Sequence, residues 1–256
     1  MTASPSRLAV ITGGGGAIGT AVCESLGSMG YTVCTLDLSA SAPAGDRHLS
    51  VDVADEAALD SALSTIESDV GIPDVLVNTA FISRRGPAST FSLDDWETVM
   101  RVNVTSYWLA SRRVARTWLT NPGKNRSIVN VSSGTGSNAV GRGGMAYGVS
   151  KAAILQLTRE LAVEWAASGI RVNAVQPAQV ESHALRGLLD APGNEGLRND
   201  IMAGIPMGRL ATPDDVARAI AFLLSDSASF ITGVSLPVDG GNLSMNAGGS
   251  PPLSLL

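Results

Sequence analysis

Apolar residues recur along this chain in two alternating rhythms. Short, nearly continuous apolar runs occupy positions 8–12, 32–36, 48–51, 74–79, 127–133, 170–175 and 234–238. Their Val and Ile content marks them as strands covered on both faces. Between them, apolar residues at helical spacing predict helices over 17–29, 55–69, 93–118, 146–167 and 214–224. Strand and helix alternate from end to end. That predicts βαβ units with right-handed crossovers and hence an α/β fold: a doubly wound, Rossmann-type parallel sheet of about seven strands with helices on both faces. No stretch has the composition of a linker, so residues 1–256 are expected to form one dinucleotide-binding domain. The segment 181–208 breaks the rhythm with Gly, Pro and Asn and is expected to be a substrate loop holding a short helix. The tail 242–256 is expected to be an irregular extension.

Composition narrows the possibilities. With 45% hydrophobic and 16% charged residues the chain is rich enough in apolar side chains to fold. A net charge of −5 without a basic stretch disfavours nucleic acid as a partner. Cys23 and Cys34 are the only cysteines and read as small buried hydrophobes in a reducing compartment; His48 and His183 have no companions at metal-ligand spacing, so no metal is expected. Positions 1–7 lack a secretory pattern and no apolar run approaches a membrane span, so a cytoplasmic protein without membrane contact is expected.

Candidate chemistry lies at the strand ends. The first strand runs into Thr12-Gly13-Gly14-Gly15-Gly16-Ala17-Ile18-Gly19, and a helix follows at once. A turn so rich in glycine lets the backbone approach a pyrophosphate beside free helix N–H groups. Without a following Gly-Lys-Ser/Thr it is not a P-loop. Asp37 ends the second strand, where an acid would accept hydrogen bonds from the adenosine ribose and repel a 2′-phosphate. Leu38 and Ser39 could not neutralise such a phosphate, so NAD is expected over NADP.

Three further features converge. Tyr147 and Lys151 are one helical turn apart, on the side of the stripe Ile154, Leu157, Leu161 and Trp165, and a neighbouring ammonium would lower the phenol's pKa. Asn103 interrupts the stripe Trp96, Val99, Tyr107, Ala110, Val114 and Trp118, where an amide needs a partner: either a structural bond to nearby backbone or a water of a proton relay. Ser132 and Ser133 close the fifth strand, where a hydroxyl can reach a substrate carbonyl.

Together with Asp52-Val53, Leu76-Val77-Asn78, Arg171-Val172-Asn173-Ala174-Val175-Gln176-Pro177, Ile231-Thr232-Gly233 and Val238-Asp239-Gly240-Gly241, these segments resemble the short-chain dehydrogenase/reductase family over about residues 7–241. The resemblance implies a catalytic set of Asn103, Ser133, Tyr147 and Lys151. Tyr147 would be the general acid/base, Lys151 would lower its pKa and bind the nicotinamide ribose, Ser133 would orient the substrate oxygen and Asn103 would anchor a water relay. Gly13, Gly16, Ile18, Gly19 and Asp37 would bind the dinucleotide, Asp52 and Val53 would flank the adenine, and Asn78 and Ala80 would line the cleft. Pro177, Val180 and Ser182 would hold the nicotinamide end. The implied activity is NAD(P)(H)-dependent interconversion of a secondary alcohol and a ketone. A dehydratase or epimerase that retains NAD, or an idle dinucleotide-binding regulator, is the alternative. A homotetramer is implied, with a dimer second.

Several positions depart from the family pattern. Ala17 takes the place of a glycine, Thr79 and Phe81 replace an Asn and a Gly, and Ala178 replaces a glycine; the interval from Ser133 to Tyr147 is one residue long. That interval leaves Ser132 or Ser133 open as the hydroxyl donor, with Ser133 preferred for its spacing to Gly136. Phe81 is expected to shape substrate access. Met145 and Trp108 are further candidates near the site, although core packing is the expectation for Trp108. Arg84 and Arg85 could meet an anionic group, but an exposed basic loop is the preferred reading. The residues His183, Leu185, Leu188, Leu189, Ile201 and Met202 of the loop select no single substrate class.

Overall fold

The computed structural model describes residues 7–39 and 45–245. Seven parallel strands form one sheet: β1 (Arg7–Thr12), β2 (Tyr31–Asp37), β3 (Arg47–Ser50), β4 (Val75–Asn78), β5 (Ser127–Val131), β6 (Arg171–Pro177) and β7 (Ser235–Val238). Their order across the sheet is β3-β2-β1-β4-β5-β6-β7. This is the Rossmann-type doubly wound sheet. The chain builds outward from β1 to β3, then returns to place β4 on the other side of β1, so the crevice opens above the ends of β1 and β4. Register brings Thr12 beside both Leu36 and Asn78 there.

Two-residue periodicity divides the core. Leu8 and Val10 of β1 face one cluster with Leu76, Ile128 and Val172, covered by α2 (Glu56–Asp69), α4 (Ser106–Thr120) and α5 (Met145–Trp165). Ala9 and Ile11 face the other with Val77, Val129 and Val175, covered by α1 (Ala17–Ser28) and α8 (Pro213–Leu224). Both faces are therefore dry, which is why these strands carry apolar residues without alternation.

The predicted helix over 93–118 is interrupted. It comprises α3 (Leu93–Met100), a π-helical turn (Arg101–Thr105) and α4, with the Ser106 N–H reaching back to the Arg101 carbonyl. The segment expected as one loop with a short helix carries two, α6 (His183–Leu189) and α7 (Glu195–Ala203). Ser132 and Ser133 lie past the end of β5 rather than inside it. Trp108 is also corrected: it is 40% exposed on α4, with the Arg112 guanidinium 4.3 Å above its ring, because its register turns it away from the stripe that Tyr107 and Trp118 bury. Among the described residues no helix is long and apolar enough to cross a membrane. Most of the expected extension, 246–256, and the side chain of His183 lie outside the described residues.

Candidate active site

The helix starts differ in chemistry. Helices α2, α3 and α8 are capped by Asp55, Ser92 and Thr212, each accepting from a backbone N–H, and each has an acid in its first turn. At α1 the cap is Gly16, which offers no side-chain bond, and no acid follows. Its first N–H groups and its positive dipole end are left for something else. Two positions at the turn cannot accept a side chain. Gly13 has φ +70°, and a Cβ on it would lie 2.6 Å from the Ala80 backbone; one on Gly19 would lie 2.3 Å from the Gly13 carbonyl oxygen. Thr79 seals the arrangement by donating its hydroxyl to the Thr12 carbonyl at 2.7 Å.

Asp37 closes the far side of the turn. Its carboxylate accepts from the Gly15 N–H and from the Ser39 N–H, both at 2.9 Å. The turn, Asp37, Asp52, Val53, Ala80 and Val180 belong to the wall of a cavity of about 490 Å³ that ends at Tyr147 and Lys151. Gly16, Ile18, Gly19, Pro177 and Ser182 line it as well, and so does Ala17, whose methyl takes part in the wall. A second cavity, of about 1030 Å³, adjoins it. Phe81, Ser133 and Tyr147 line both. The phenol thus stands at a junction between two spaces.

Ser133 and Ser132 separate by environment. Ser132 is buried and donates its hydroxyl to the Lys151 carbonyl at 2.7 Å, which pins the loop after β5 to α5. The Ser133 oxygen accepts from the Thr135 N–H and hydroxyl at 3.2 and 3.0 Å, and its side chain is near enough to the Tyr147 phenol to favour the ionised form.

Lys151 is almost fully buried. Its ammonium donates to the Val131 carbonyl at 2.9 Å and lies 5.3, 5.4 and 5.6 Å from the ring centres of Tyr107, Phe81 and Tyr147. Burial lowers its pKa to about 7. Burial raises the Tyr147 phenol, and the group that offsets the rise is Ser133. The expected net lowering of the phenol is therefore not seen, because burial raises it. A low-dielectric site penalises both charged forms, so a neutral phenol and a half-titrated amine have little charge to exchange.

Two of the expected site residues lie behind the cleft rather than in it. Asn78 is fully buried: its amide donates to Asn130 at 2.9 Å and Ser111 at 3.2 Å and accepts from the Thr12 hydroxyl at 3.3 Å. It joins β1, β4, β5 and α4 beneath the site, so its place in the lining is corrected. Asn103, at the centre of the π turn, accepts from the Ile82 N–H at 2.8 Å and donates to the Ile82 carbonyl and to Ser150, both at 3.0 Å. Ser150 in turn donates to the Tyr147 carbonyl at 2.7 Å. Of the two readings left open by the sequence, its side chain makes the structural one: both amide hydrogens are committed to protein partners.

Ile82, Val102 and Gln179 line the cavities without having been expected, and the bond from Gly15 to Asp37 was equally unannounced. None has a sequence signal, since each depends on where a neighbouring loop passes. Phe81, singled out by its departure from pattern, packs edge to face on Tyr147 with ring centres 5.9 Å apart. Cys23 and Cys34 are buried, and burial pushes their thiols up to about 12 and about 11.

A family model described as enoyl-(acyl carrier protein) reductase matches residues 15–242. D-threitol dehydrogenase of Mycolicibacterium smegmatis is 32% identical over 246 residues, with 92% of each chain covered. The chain belongs to the short-chain dehydrogenase/reductase family. Acetoacetyl-CoA reductase of Allochromatium vinosum, a second relative, is 36% identical over 252 residues, covering 92% of this chain and 98% of that protein. Among solved structures, a gluconate 5-dehydrogenase from Burkholderia cenocepacia, in complex with NADP and tartrate, superposes with a TM-score of 0.85 at 30% identity, covering 95% of this chain and 97% of that one. These members of the family are dehydrogenases and a reductase.

Proposed function

We propose that this chain is an NAD-linked oxidoreductase that interconverts a secondary alcohol and a ketone, with Tyr147 as the general acid/base. The observation that carries the reading is the placement of Tyr147 and Ser133 at the junction of the two cavities, one of which has the features of a dinucleotide cleft. Those features are an uncapped helix start, a turn in which Gly13 and Gly19 leave no room for a Cβ, and a carboxylate at the far end. Beside Gly16 the space is open, for a Cβ there would meet nothing nearer than 3.5 Å. The residues present fit a nicotinamide dinucleotide.

In this reading Gly13, Gly16, Ile18 and Gly19 hold the pyrophosphate, Asp37 the adenosine ribose, and Asp52 and Val53 the adenine. Ala80, Pro177, Val180 and Ser182 hold the nicotinamide end. Asp37 supports NAD: a 2′-phosphate would bring negative charge to a carboxylate already bonded to two backbone N–H groups. The gluconate 5-dehydrogenase with a similar structure is in complex with NADP, so the preference of this chain rests on Asp37. When bound, the dinucleotide supplies a hydride acceptor or donor.

The chain's own residues manage the proton. Because the Ser133 oxygen accepts from Thr135, its O–H is the group free to orient the substrate oxygen. The raised pKa keeps the Tyr147 phenol protonated at neutral pH, which suits delivery of a proton to the ketone oxygen. Alcohol oxidation needs the phenolate, so oxidation rises with pH and reduction falls. An ammonium on Lys151, 5.6 Å from the Tyr147 ring centre, would stabilise a phenolate formed there, and that phenolate would in turn hold the proton on Lys151. Asn103 acts as a positioning residue for Ile82 and Ser150. Cytoplasmic location and a homotetramer, with a dimer second, belong to the same reading; Trp108, Val149 and Val163 are apolar side chains that α4 and α5 leave exposed.

The deciding experiment is Tyr147→Phe, assayed by reduced-cofactor absorbance over a panel of ketones and alcohols. Turnover should fall by about 10²- to 10⁴-fold while NADH binding, followed by fluorescence, is retained. Full activity in that variant overturns the mechanism. Light scattering that finds only monomer overturns the tetramer.

A further inference from the structure

The larger cavity has an uneven wall. One side is a strap after β4 that carries Phe81 and Arg85, and another comes from α6 and α7 through Leu185, Leu188 and Ile201. The strap is fastened at both ends. Asn103 holds the backbone of Ile82 through two hydrogen bonds, and the Gly86 N–H donates to the Gly143 carbonyl at 3.1 Å. Phe81 and Arg85 are therefore presented on fixed backbone rather than on a loose loop.

Each of the two is unfinished. Phe81 touches Tyr147 with one part of its ring yet is 55% exposed within the site, an apolar surface with room for another beside the reacting centre. The charges on the cavity wall are Arg85, Arg142 and Asp200. Arg142 pairs with Asp200 at 3.2 Å, and Arg84, adjacent in sequence, lies 3.7 Å from Asp95. Arg85 has no carboxylate within 4.0 Å among the described residues. The wall is left with one uncompensated positive charge, on a side chain whose planar fork matches a carboxylate.

We propose that the substrate is a ketone or secondary alcohol with a flat or cyclic apolar body and a carboxylate end, Phe81 packing against the body and Arg85 binding the carboxylate. The inference rests on the reading of this cavity as the substrate side of an oxidoreductase. In it Phe81 and Arg85 determine specificity, while the chemistry stays with Tyr147 and Ser133.

The test uses two matched pairs, para-acetylbenzoate and its methyl ester, and levulinate and its methyl ester, with NADH and the full chain. The wild-type protein should reduce para-acetylbenzoate with a kcat/KM about tenfold above that of its ester, as one charge-assisted hydrogen bond provides. Arg85→Gln should bring acid and ester to within about twofold, chiefly through a rise in KM for the acid. Phe81→Ala should lower kcat/KM for the aromatic acid about tenfold more than for levulinate. An ester as good as its acid, or an acid preference that survives Arg85→Gln, overturns the proposal. Binding of the same aromatic pair to the NADH-saturated Tyr147→Phe protein, by calorimetry, reads the preference without turnover, and equal affinities overturn it as well. Undiminished turnover by Tyr147→Phe counts against the oxidoreductase mechanism instead, so the two failures are distinct.

Discussion

The two cavities that meet at Tyr147 are built on different terms. The smaller is enclosed by backbone: the glycine turn, the uncapped start of α1 and the ends of β1, β2 and β4, with Asp37 tied to Gly15. The larger is enclosed largely by side chains from segments far apart in the chain, the strap around Phe81 and Arg85, the loop after Ser133 and the helices α6 and α7. Backbone walls admit one shape of ligand and hardly tolerate substitution. Side-chain walls can be rewritten without disturbing the sheet. A family that keeps its cofactor while changing its substrate needs this division.

A methyl group added to each wall breaks the comparison most directly. Gly19→Ala would set a Cβ 2.3 Å from the Gly13 carbonyl oxygen, whereas Gly148→Ala meets nothing nearer than 3.5 Å. The first should weaken NADH binding by about a hundredfold or more, and the second by no more than about twofold, measured by fluorescence titration. Comparable losses in both would show that the walls do not differ in kind.

The cost of the junction itself is measured by Lys151→Met. Burial lowers the folded-state pKa of Lys151 from 10.5 to about 7. As pH falls below 10.5 the unfolded chain takes up a proton that the folded protein does not hold until about pH 7, so this residue's contribution becomes increasingly unfavourable over that window and then levels off. Replacing it with an apolar side chain should raise stability at pH 7 by about 1–4 kcal/mol, with the gain shrinking as pH rises towards 10.5. Activity should be lost. Denaturant melts at pH 7 and pH 10 check the sign; a gain that grows with pH contradicts the assignment.

Asn103→Ala probes the link between the regions. It strands the Ile82 N–H and carbonyl beneath the strap and should destabilise the protein by about 1–3 kcal/mol. It should also loosen the Phe81 side more than the glycine turn, so that KM for ketone rises further than KM for NADH. Equal changes in both would make Asn103 a general fold residue. The smallest effect is expected at Asp37. Asp37→Ser should narrow the preference for NAD over NADP by about tenfold, read as the ratio of kcat/KM for the two cofactors. An unchanged ratio would remove Asp37 as the discriminating group.

The division between the cavities also explains what could be read in advance. Glycines at 13 and 19 are visible in the sequence because a backbone contact leaves no alternative residue, and the parallel sheet is visible because strands covered on both faces carry consecutive apolar residues, as at positions 8–11 and 75–77. Asn78 and Asn103 were noticeable as polar residues in apolar surroundings, but their partners on β5, α4 and the Ile82 backbone come from elsewhere in the chain, so that neither lines the cleft. Trp108 was misjudged because periodicity locates a stripe but does not show how a helix is rotated about its edge.

Local pattern by itself therefore determined the order of elements, the parallel sheet and the tight glycine turn, and it singled out Ser133, Tyr147 and Lys151, whose proposed roles came from the family resemblance. These depend on spacing and on sterics within a few residues. Tertiary structure alone decided that Ser132 is tied to the Lys151 carbonyl while Ser133 stands beside the phenol, that burial raises the Tyr147 phenol, and that Phe81 and Arg85 share one wall. Each of those depends on desolvation or on contact between segments distant in sequence, which spacing along the chain does not encode.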